Sequence, residues 1–79
     1  MEDKLMELTL YSKNNCMQCK LTKRFLAEHQ IPFSEINIDE QPEAVEDLKS
    51  AGYRSVPVLT TQNTAIVGFR PEELRQLVS

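Results

Sequence analysis

The sequence predicts a small α/β or α+β domain with the element order β-α-β-α-β-β-α. Short runs of alternating apolar residues, typical of strands, are separated by segments whose apolar residues recur at helical spacing. Prolines and glycines fall between these segments, where elements are expected to end. A strand-helix-strand unit implies a right-handed crossover and two parallel strands, and a late hairpin adds antiparallel ones. The predicted architecture is a four-stranded mixed sheet with three helices.

Length and composition limit the classes of protein to consider. We expect residues 1–79 to form one domain, with the hydrophobic (41%) and charged (27%) shares of a soluble globular protein. The chain has no apolar run of the roughly 20 residues that span a bilayer, so no membrane association is expected. The formal net charge of −3 argues against nucleic acid as a partner.

The start of the chain predicts a cellular location. Met1–Lys4 lacks the basic-then-apolar pattern of a signal peptide, so a cytoplasmic location is expected. In that compartment, two cysteines are more often catalytic or metal-binding than a structural crosslink.

The first strand is predicted over Leu5–Tyr11. Its inward face is formed by three alternating apolar residues, Met6, Leu8 and Leu10. The polar run Ser12–Asn15 has the composition of a turn. Either Asn14 or Asn15 is expected to cap a helix that begins near Cys16.

The first helix is predicted to end by about Gln30, because Pro32 disfavours the α conformation at the residue before it. Apolar residues at helical spacing are expected to pack inward, namely Met17, Leu21, Phe25 and Leu26. Three cations are expected to face water, namely Lys20, Lys23 and Arg24.

The second strand is predicted over Phe33–Ile38, with Ile36 and Ile38 on one face. The second helix opens at Asp39–Pro42, because proline and acidic residues suit a first turn. Gly52 is expected to terminate it. Its buried face is predicted to comprise Ala44, Val45, Leu48 and Ala51.

The third strand is predicted over Val56–Thr61, after a loop at Tyr53–Ser55. A short turn at Gln62–Thr64 returns the chain as the fourth strand, Ala65–Val67. Pro71 fits the first turn of the last helix. Its inward-facing residues are predicted to be Leu74, Leu77 and Val78.

The two cysteines, Cys16 and Cys19, are spaced C-x-x-C where the first strand gives way to the first helix. Residues three apart at a helix start face the same way, so their sulfurs can reach each other. Unpaired backbone N–H groups and the helix dipole favour an anion at this position, which is expected to lower the pKa of the first thiol. This pattern beside a βαβ unit indicates a dithiol redox centre.

The position of each cysteine predicts its role. Cys16 should be the exposed nucleophile, with its thiolate stabilised by backbone N–H groups and by Lys13 or Lys20. It attacks a substrate disulfide, and Cys19, one turn deeper, then attacks the Cys16 sulfur and releases the reduced substrate. The two residues between the cysteines are expected to tune the redox potential.

The cysteines have two other interpretations. A structural zinc site usually needs four ligands, whereas this chain has two cysteines and one histidine. That histidine, His29, lies at the far end of the same predicted helix. The second interpretation is that the two cysteines are buried and chemically inert. An inert pair would not need to lie at the junction between a loop and a helix.

Three segments resemble the NrdH-type redoxins, which are glutaredoxin-sized proteins that behave like thioredoxins. They are Tyr11–Cys19, which ends in C-M-Q-C, then Gly52–Val58, which ends in V-P-V, and Gly68–Pro71, which reads G-F-R-P. The resemblance extends from about Leu5 to Val78. It implies a thioredoxin/glutaredoxin-like fold in a monomer without a bound cofactor. It also implies reduction by thioredoxin reductase with NADPH, and electron delivery to the large subunit of class Ib ribonucleotide reductase.

Carried over by position, the resemblance makes Cys16 the nucleophile, Cys19 the resolving thiol and Pro57 a cis-proline that faces the disulfide. Without the resemblance, a trans proline at the start of a strand is favoured. A cis bond would leave the Val56 backbone free to pair with an extended substrate. Further residues are expected to contact the substrate or partner, namely Tyr11, Lys13, Met17, Gln18, Arg54, Gly68, Phe69 and Arg70.

The G-F-R-P segment bears on the use of glutathione. Glutaredoxins typically carry an acidic pair after the glycine of this turn, which meets the charged end of glutathione. Here Arg70 adds positive charge and Pro71 removes a backbone donor, so weak glutathione binding is predicted. A purely structural role, as a turn for Gly68 and as core for Phe69, is an equal alternative. The chain also departs from the family at Ile66–Val67, where a tryptophan and a serine are usual.

The basic residues have two interpretations. They form either a docking patch for an acidic partner surface or tail, or simply a solvated surface. The set comprises Lys13, Lys20, Lys23, Arg24, Arg54 and Arg70.

Two alternative functions remain open at this stage. One is a glutathione-dependent glutaredoxin, for which Tyr11 and the Ser55–Pro57 loop leave room. The other is a metal or iron–sulfur carrier that uses Cys16 together with external ligands.

Overall fold

The computed structural model describes residues 8–61 and 64–77. It contains four strands, namely β1 (Thr9–Ser12), β2 (Ser34–Asn37), β3 (Val58–Thr60) and β4 (Ala65–Val67). It contains three α-helices, namely α1 (Met17–Glu28), α2 (Glu43–Ser50) and α3 (Pro71–Leu74), the last continued by a 3₁₀ turn at Arg75–Leu77. The predicted element order and mixed sheet are confirmed. Parts of three predicted features lie outside the described residues, at Leu5–Glu7, Gln62–Asn63 and Val78.

The strands form one sheet in the order β2-β1-β3-β4. Strand β1 pairs in parallel with β2, where Ser12 lies opposite Asn37. It pairs antiparallel with β3, where Tyr11 lies opposite Val58, and Val58 in turn lies opposite Val67 of β4. This register brings the end of β1, the end of β2, the start of β3 and the end of β4 to the same edge of the sheet.

The core is formed by six buried apolar side chains, namely Leu8, Leu10, Leu26, Leu59, Ile66 and Leu74. Three of them form a row across neighbouring strands, because Leu10 lies opposite Leu59 and Leu59 lies opposite Ile66. Burying a side chain of this size contributes about 1.5–3 kcal/mol. Two other members, Leu26 and Leu74, anchor α1 and α3 to this row.

The predicted inward face of α1 is partly wrong. Met17 is 67% exposed and Leu21 is 36% exposed, whereas Cys19, Thr22 and Leu26 are buried. These three residues are spaced by three and four, so they form one continuous stripe that Met17 and Leu21 miss. A buried threonine is tolerated because its Oγ1 donates to the Gln18 carbonyl at 2.9 Å.

The second helix also differs from the prediction at both ends. It begins at Glu43 with Pro42 as the N-cap, after a turn that includes Asp39. It ends at Ser50, so Ala51, which was expected to be buried, lies beyond the helix and is exposed. Gly52 follows with φ +94°, the left-handed conformation that favours glycine after a helix. Within residues 8–61 and 64–77, the model has no helix with the length and hydropathy needed to span a membrane.

A buried hydroxyl connects β1, β2 and α1. Ser12 is 1% exposed, and its Oγ donates to Glu35 Oε2 at 2.6 Å. The Lys23 ammonium lies 3.0 Å from the same oxygen. The Ser12 hydrogen bond, with a smaller contribution from Lys23, outweighs desolvation and lowers the pKa of Glu35 below its usual range. The charged carboxylate is therefore stabilised by the folded state.

This contact predicts a pH-dependent contribution to stability. A carboxylate whose pKa is lowered by folding stabilises the folded state. This stabilisation is complete above the ordinary glutamate pKa of about 4.3, and it is lost as the pH falls through the lowered pKa of the folded state. As the pH falls from about 5 to 3, the free energy of unfolding should decrease in the wild type, and it should decrease less in Ser12→Ala. Urea denaturation at a series of pH values measures this loss.

Thr22→Ala is the matched control, because it removes a buried hydroxyl whose acceptor is a neutral carbonyl. It should lower stability without changing the pH dependence. Identical pH dependence in Ser12→Ala and wild type would contradict the role given to Ser12.

Candidate active site

The two cysteines form a disulfide across the first turn of α1, with their Cα atoms 5.2 Å apart. Cys16 itself is the N-cap residue, with an extended backbone at φ −117° and ψ 106°. Its Sγ accepts a hydrogen bond from the Cys19 N–H at 3.1 Å. The expectation that Asn14 or Asn15 caps this helix is therefore wrong. Asn15 adopts φ +56°, which makes one more turn of the chain before the helix begins.

The disulfide is asymmetric in its access to solvent. Cys16 is 8% exposed and Cys19 is 1% exposed. Cys16 is thus less exposed than predicted, because its sulfur folds back over the first turn to reach both Cys19 Sγ and the Cys19 N–H. It is still the more accessible of the two cysteines. Lys13 and Lys20, on either side of the motif, are exposed.

The loop before the disulfide is held by polar groups that the sequence did not suggest. The Asn14 N–H donates to Asp39 Oδ2 at 2.9 Å, and Asn37 Nδ2 donates to Asn14 Oδ1 at 3.1 Å. Asn37 Oδ1 also accepts from the Asp39 N–H at 2.9 Å. These contacts form where β1 and β2 end side by side, so the register of the sheet brings the three residues together.

Pro57 lies at the same edge of the sheet, one residue before the pairing of Val58 with Tyr11. The Val56–Pro57 peptide bond is cis, as the resemblance implied. The Pro57 carbonyl accepts from the Gly68 N–H at 2.8 Å. Within residues 8–61 and 64–77, no hydrogen bond uses the Val56 N–H or carbonyl. An extended peptide could therefore pair with the backbone of Val56.

The Gly68–Pro71 segment contacts the redox motif directly. The Phe69 N–H donates to Gln18 Oε1 at 3.3 Å, a contact that sequence reasoning missed. The Phe69 side chain is partly buried and packs against the core. Arg70 points back to its own turn, where Nε donates to the Val67 carbonyl at 3.0 Å and Nη1 lies 3.8 Å from Glu73. Where the family usually has tryptophan and serine, Ile66 is buried in the core and Val67 pairs with Val58.

The basic residues have different surroundings in the structure. Lys13 and Arg54 line a cavity of about 650 Å³, together with Lys49, Val56 and six further residues, namely Ile38, Val45, Leu48, Gly52, Tyr53 and Ser55. Three other cations pair with carboxylates of the chain, namely Lys23 with Glu35, Arg24 with Glu28 and Arg70 with Glu73. The lining of the cavity therefore combines apolar side chains with three cations, Lys13, Lys49 and Arg54.

The donors expected for a metal do not come together in the described part of the chain. Residues 8–61 and 64–77 contain no group of three or more His, Cys, Asp or Glu side chains close enough to hold a metal ion. His29 is the C-cap residue of α1, and its ring lies 4.2 Å from that of Phe25.

The fold and the site together define a class of protein. A mixed four-stranded sheet carries a C-x-x-C disulfide at the start of its first helix, and a cis-proline begins the neighbouring strand. These features are those of a thiol–disulfide oxidoreductase with the thioredoxin fold.

Comparison with known proteins identifies the family. The glutaredoxin family model matches residues 8–66. The glutaredoxin-like protein NrdH of Lactococcus lactis subsp. cremoris is 59% identical over 70 residues, which cover 89% of this chain and 97% of the relative. NrdH of Escherichia coli K12 is 39% identical over 72 residues, which cover 91% of this chain and 89% of that relative. The chain therefore belongs to the glutaredoxin family, as an NrdH-type glutaredoxin-like protein.

A solved structure supports the same assignment. The NrdH-redoxin of E. coli, described as glutaredoxin-like with a thioredoxin-like activity profile, aligns with a TM-score of 0.86. The sequences are 39% identical, and the alignment covers 91% of this chain and 95% of that structure.

The asymmetry of the disulfide predicts different outcomes for the two cysteine variants. Cys16→Ser should abolish reduction of a disulfide substrate, because the accessible sulfur is lost. Cys19→Ser should still attack but should accumulate as a mixed disulfide, because nothing resolves it. Mass spectrometry under non-reducing conditions detects the adduct, and its mass identifies the trapped substrate. Full turnover by Cys19→Ser would remove the resolving role from Cys19.

Proposed function

We propose that this protein carries electrons from thioredoxin reductase to the large subunit of class Ib ribonucleotide reductase. The observation that carries the proposal is the 59% identity to L. lactis NrdH over 97% of that relative's length. The thioredoxin-like activity profile described for E. coli NrdH-redoxin supports it. NADPH is used only by the reductase, so the protein works without a bound cofactor. We further propose that it acts as a monomer in the cytoplasm, with neither nucleic acid nor membrane as a partner.

The chemistry is two consecutive thiol–disulfide exchanges. The Cys16 thiolate attacks one sulfur of the substrate disulfide, and the other substrate sulfur leaves as a thiolate that takes up a proton. Cys19 then loses its proton and attacks Cys16 Sγ, which releases the second substrate thiol. Two electrons and two protons have passed to the substrate, and the protein is left with the Cys16–Cys19 disulfide that the structure contains.

Two features support a peptide substrate. The Val56 backbone makes no hydrogen bond within the described chain, so it can pair with an extended segment beside the disulfide. The neighbouring cavity is lined by apolar side chains together with Lys13, Lys49 and Arg54. Such a surface suits a segment that carries both apolar and acidic side chains. The proposed contact surface also includes Tyr11 and Met17. Tyr11 lies on β1, between β2 and β3, and is half-buried, whereas Met17 is exposed.

The glutathione-dependent alternative is disfavoured by the Gly68–Pro71 segment. The Gly68 N–H is taken by the Pro57 carbonyl and the Phe69 N–H by Gln18 Oε1. Pro71 has no N–H, and the guanidinium of Arg70 is turned toward Val67 and Glu73. A carboxylate of glutathione would have to displace these intramolecular partners.

The choice of reductant separates the two candidates. One reaction contains NADPH with thioredoxin reductase, and a second contains NADPH, glutathione and glutathione reductase. We expect NADPH oxidation, coupled to reduction of insulin disulfides, in the first reaction and at least about tenfold less in the second, equivalent to 1.4 kcal/mol of discrimination. The Cys16→Ser protein supplies the background rate. Turnover with glutathione alone would overturn the proposal.

The electron acceptor is tested separately. Class Ib ribonucleotide reductase replaces insulin in the first reaction, and formation of deoxyribonucleotide is measured. Product should depend on the protein and should be absent with Cys16→Ser. If insulin is reduced but no deoxyribonucleotide forms, thioredoxin reductase remains the proposed electron donor, and ribonucleotide reductase is excluded as the acceptor.

A further inference from the structure

Gln18 lies between the two cysteines, and its side chain contacts a turn 51 residues later in the chain. Its Oε1 accepts from the Phe69 N–H at 3.3 Å. Gly68 adopts φ +82°, the left-handed conformation that favours glycine, and a Cβ there would be in ordinary van der Waals contact with the same oxygen at 3.4 Å. A polar contact thus joins the start of α1 to the Gly68–Phe69 turn.

The turn end of this contact is bonded to another part of the fold, whereas the helix end is bonded within α1. At the helix, the hydroxyl of the buried Thr22 donates to the Gln18 carbonyl one turn earlier at 2.9 Å. At the turn, the Gly68 N–H donates to the Pro57 carbonyl at 2.8 Å. The turn that Gln18 contacts is therefore also hydrogen-bonded to the cis-proline residue.

The position of Pro57 matters because Val56 precedes it. A substrate strand paired with Val56 must present its disulfide to Cys16 in line for attack. Misplacement by 1 Å can reduce the rate of such a reaction about 100-fold. The Gln18 contact, at 3.3 Å, connects the segment that holds the sulfur to the turn bonded to Pro57.

We propose that Gln18 is a positioning residue for peptide substrates. Its amide oxygen sets the spacing between Cys16 and the Val56–Pro57 backbone, and it acts through the Gly68–Phe69 turn. The inference rests on the proposed function, because it concerns how an extended substrate is held during disulfide exchange. A small disulfide has no backbone to pair with Val56, so its reaction does not depend on this spacing.

The test compares two disulfides that react with the same reduced protein. One is a synthetic extended peptide with an intramolecular disulfide, and the other is 2-hydroxyethyl disulfide. Stopped-flow kinetics give a second-order rate constant for each. The ratio of the two constants cancels any change in the intrinsic reactivity of the Cys16 thiol, including changes caused by substitution between the cysteines.

Two variants separate the hydrogen bond from the bulk of the side chain. Gln18→Met keeps the length but lacks the acceptor, and we expect it to lower the ratio of peptide to small disulfide about threefold to tenfold. Gln18→Glu keeps an acceptor for the Phe69 N–H, so it should retain the wild-type ratio even if its charge slows both reactions. Gln41→Met makes the same change at an exposed glutamine outside the site and should leave the ratio unchanged.

The outcomes distinguish this inference from the function on which it rests. An unchanged ratio in Gln18→Met, or an equal fall in Gln18→Met and Gln18→Glu, would overturn the positioning role while leaving the proposed function intact. If the wild-type protein does not react faster with the peptide than with the small disulfide, the proposal that the protein positions an extended peptide is wrong, and the role of Gln18 in it is wrong too. Preference in wild type, its loss in Gln18→Met and its retention in Gln18→Glu are the result we expect.

Discussion

The cap formed by Cys16 at the start of α1 is the contact on which the rest of the site depends. Its sulfur accepts from the Cys19 N–H, so one residue both begins the helix and presents the reactive atom to unpaired backbone donors. The helix can begin there because Leu26 anchors its other end in the core. The position of the sulfur and the electrostatics of the helix start are therefore consequences of a single local geometry.

The register of the sheet assembles the remaining parts around this cap. Four strand ends meet at one edge, so segments distant in sequence become neighbours there. Small polar contacts fix each segment where the core does not reach: Asn14 to Asp39, Gln18 to Phe69, and Gly68 to Pro57. Each such hydrogen bond contributes only about 1 kcal/mol to stability. We infer that their main effect is on geometry, because disulfide exchange requires aligned sulfur atoms.

The element order and the location of the redox pair could be predicted from the sequence, because periodicity and the C-x-x-C spacing are local signals. The cis bond before Pro57 came from family resemblance alone. Local reasoning placed Met17 inward and a cap at Asn14 or Asn15, and both were wrong, because the buried stripe of α1 includes Cys19 and the Cys16 sulfur itself caps the helix. The contact of Gln18 had no local signal, since it depends on how β4 pairs with β3 and where the chain turns afterwards.

The central claim is that the helix start makes Cys16 the reactive thiol. Its most direct test is the pKa of that thiol in the reduced protein, from thiolate absorbance and from the pH dependence of iodoacetamide alkylation. Peptide mapping then shows which cysteine reacts first. The account predicts half-titration clearly below the ordinary thiol pKa of about 8.5, with alkylation at Cys16 before Cys19. Titration at or above that value, or alkylation of Cys19 first, would contradict it.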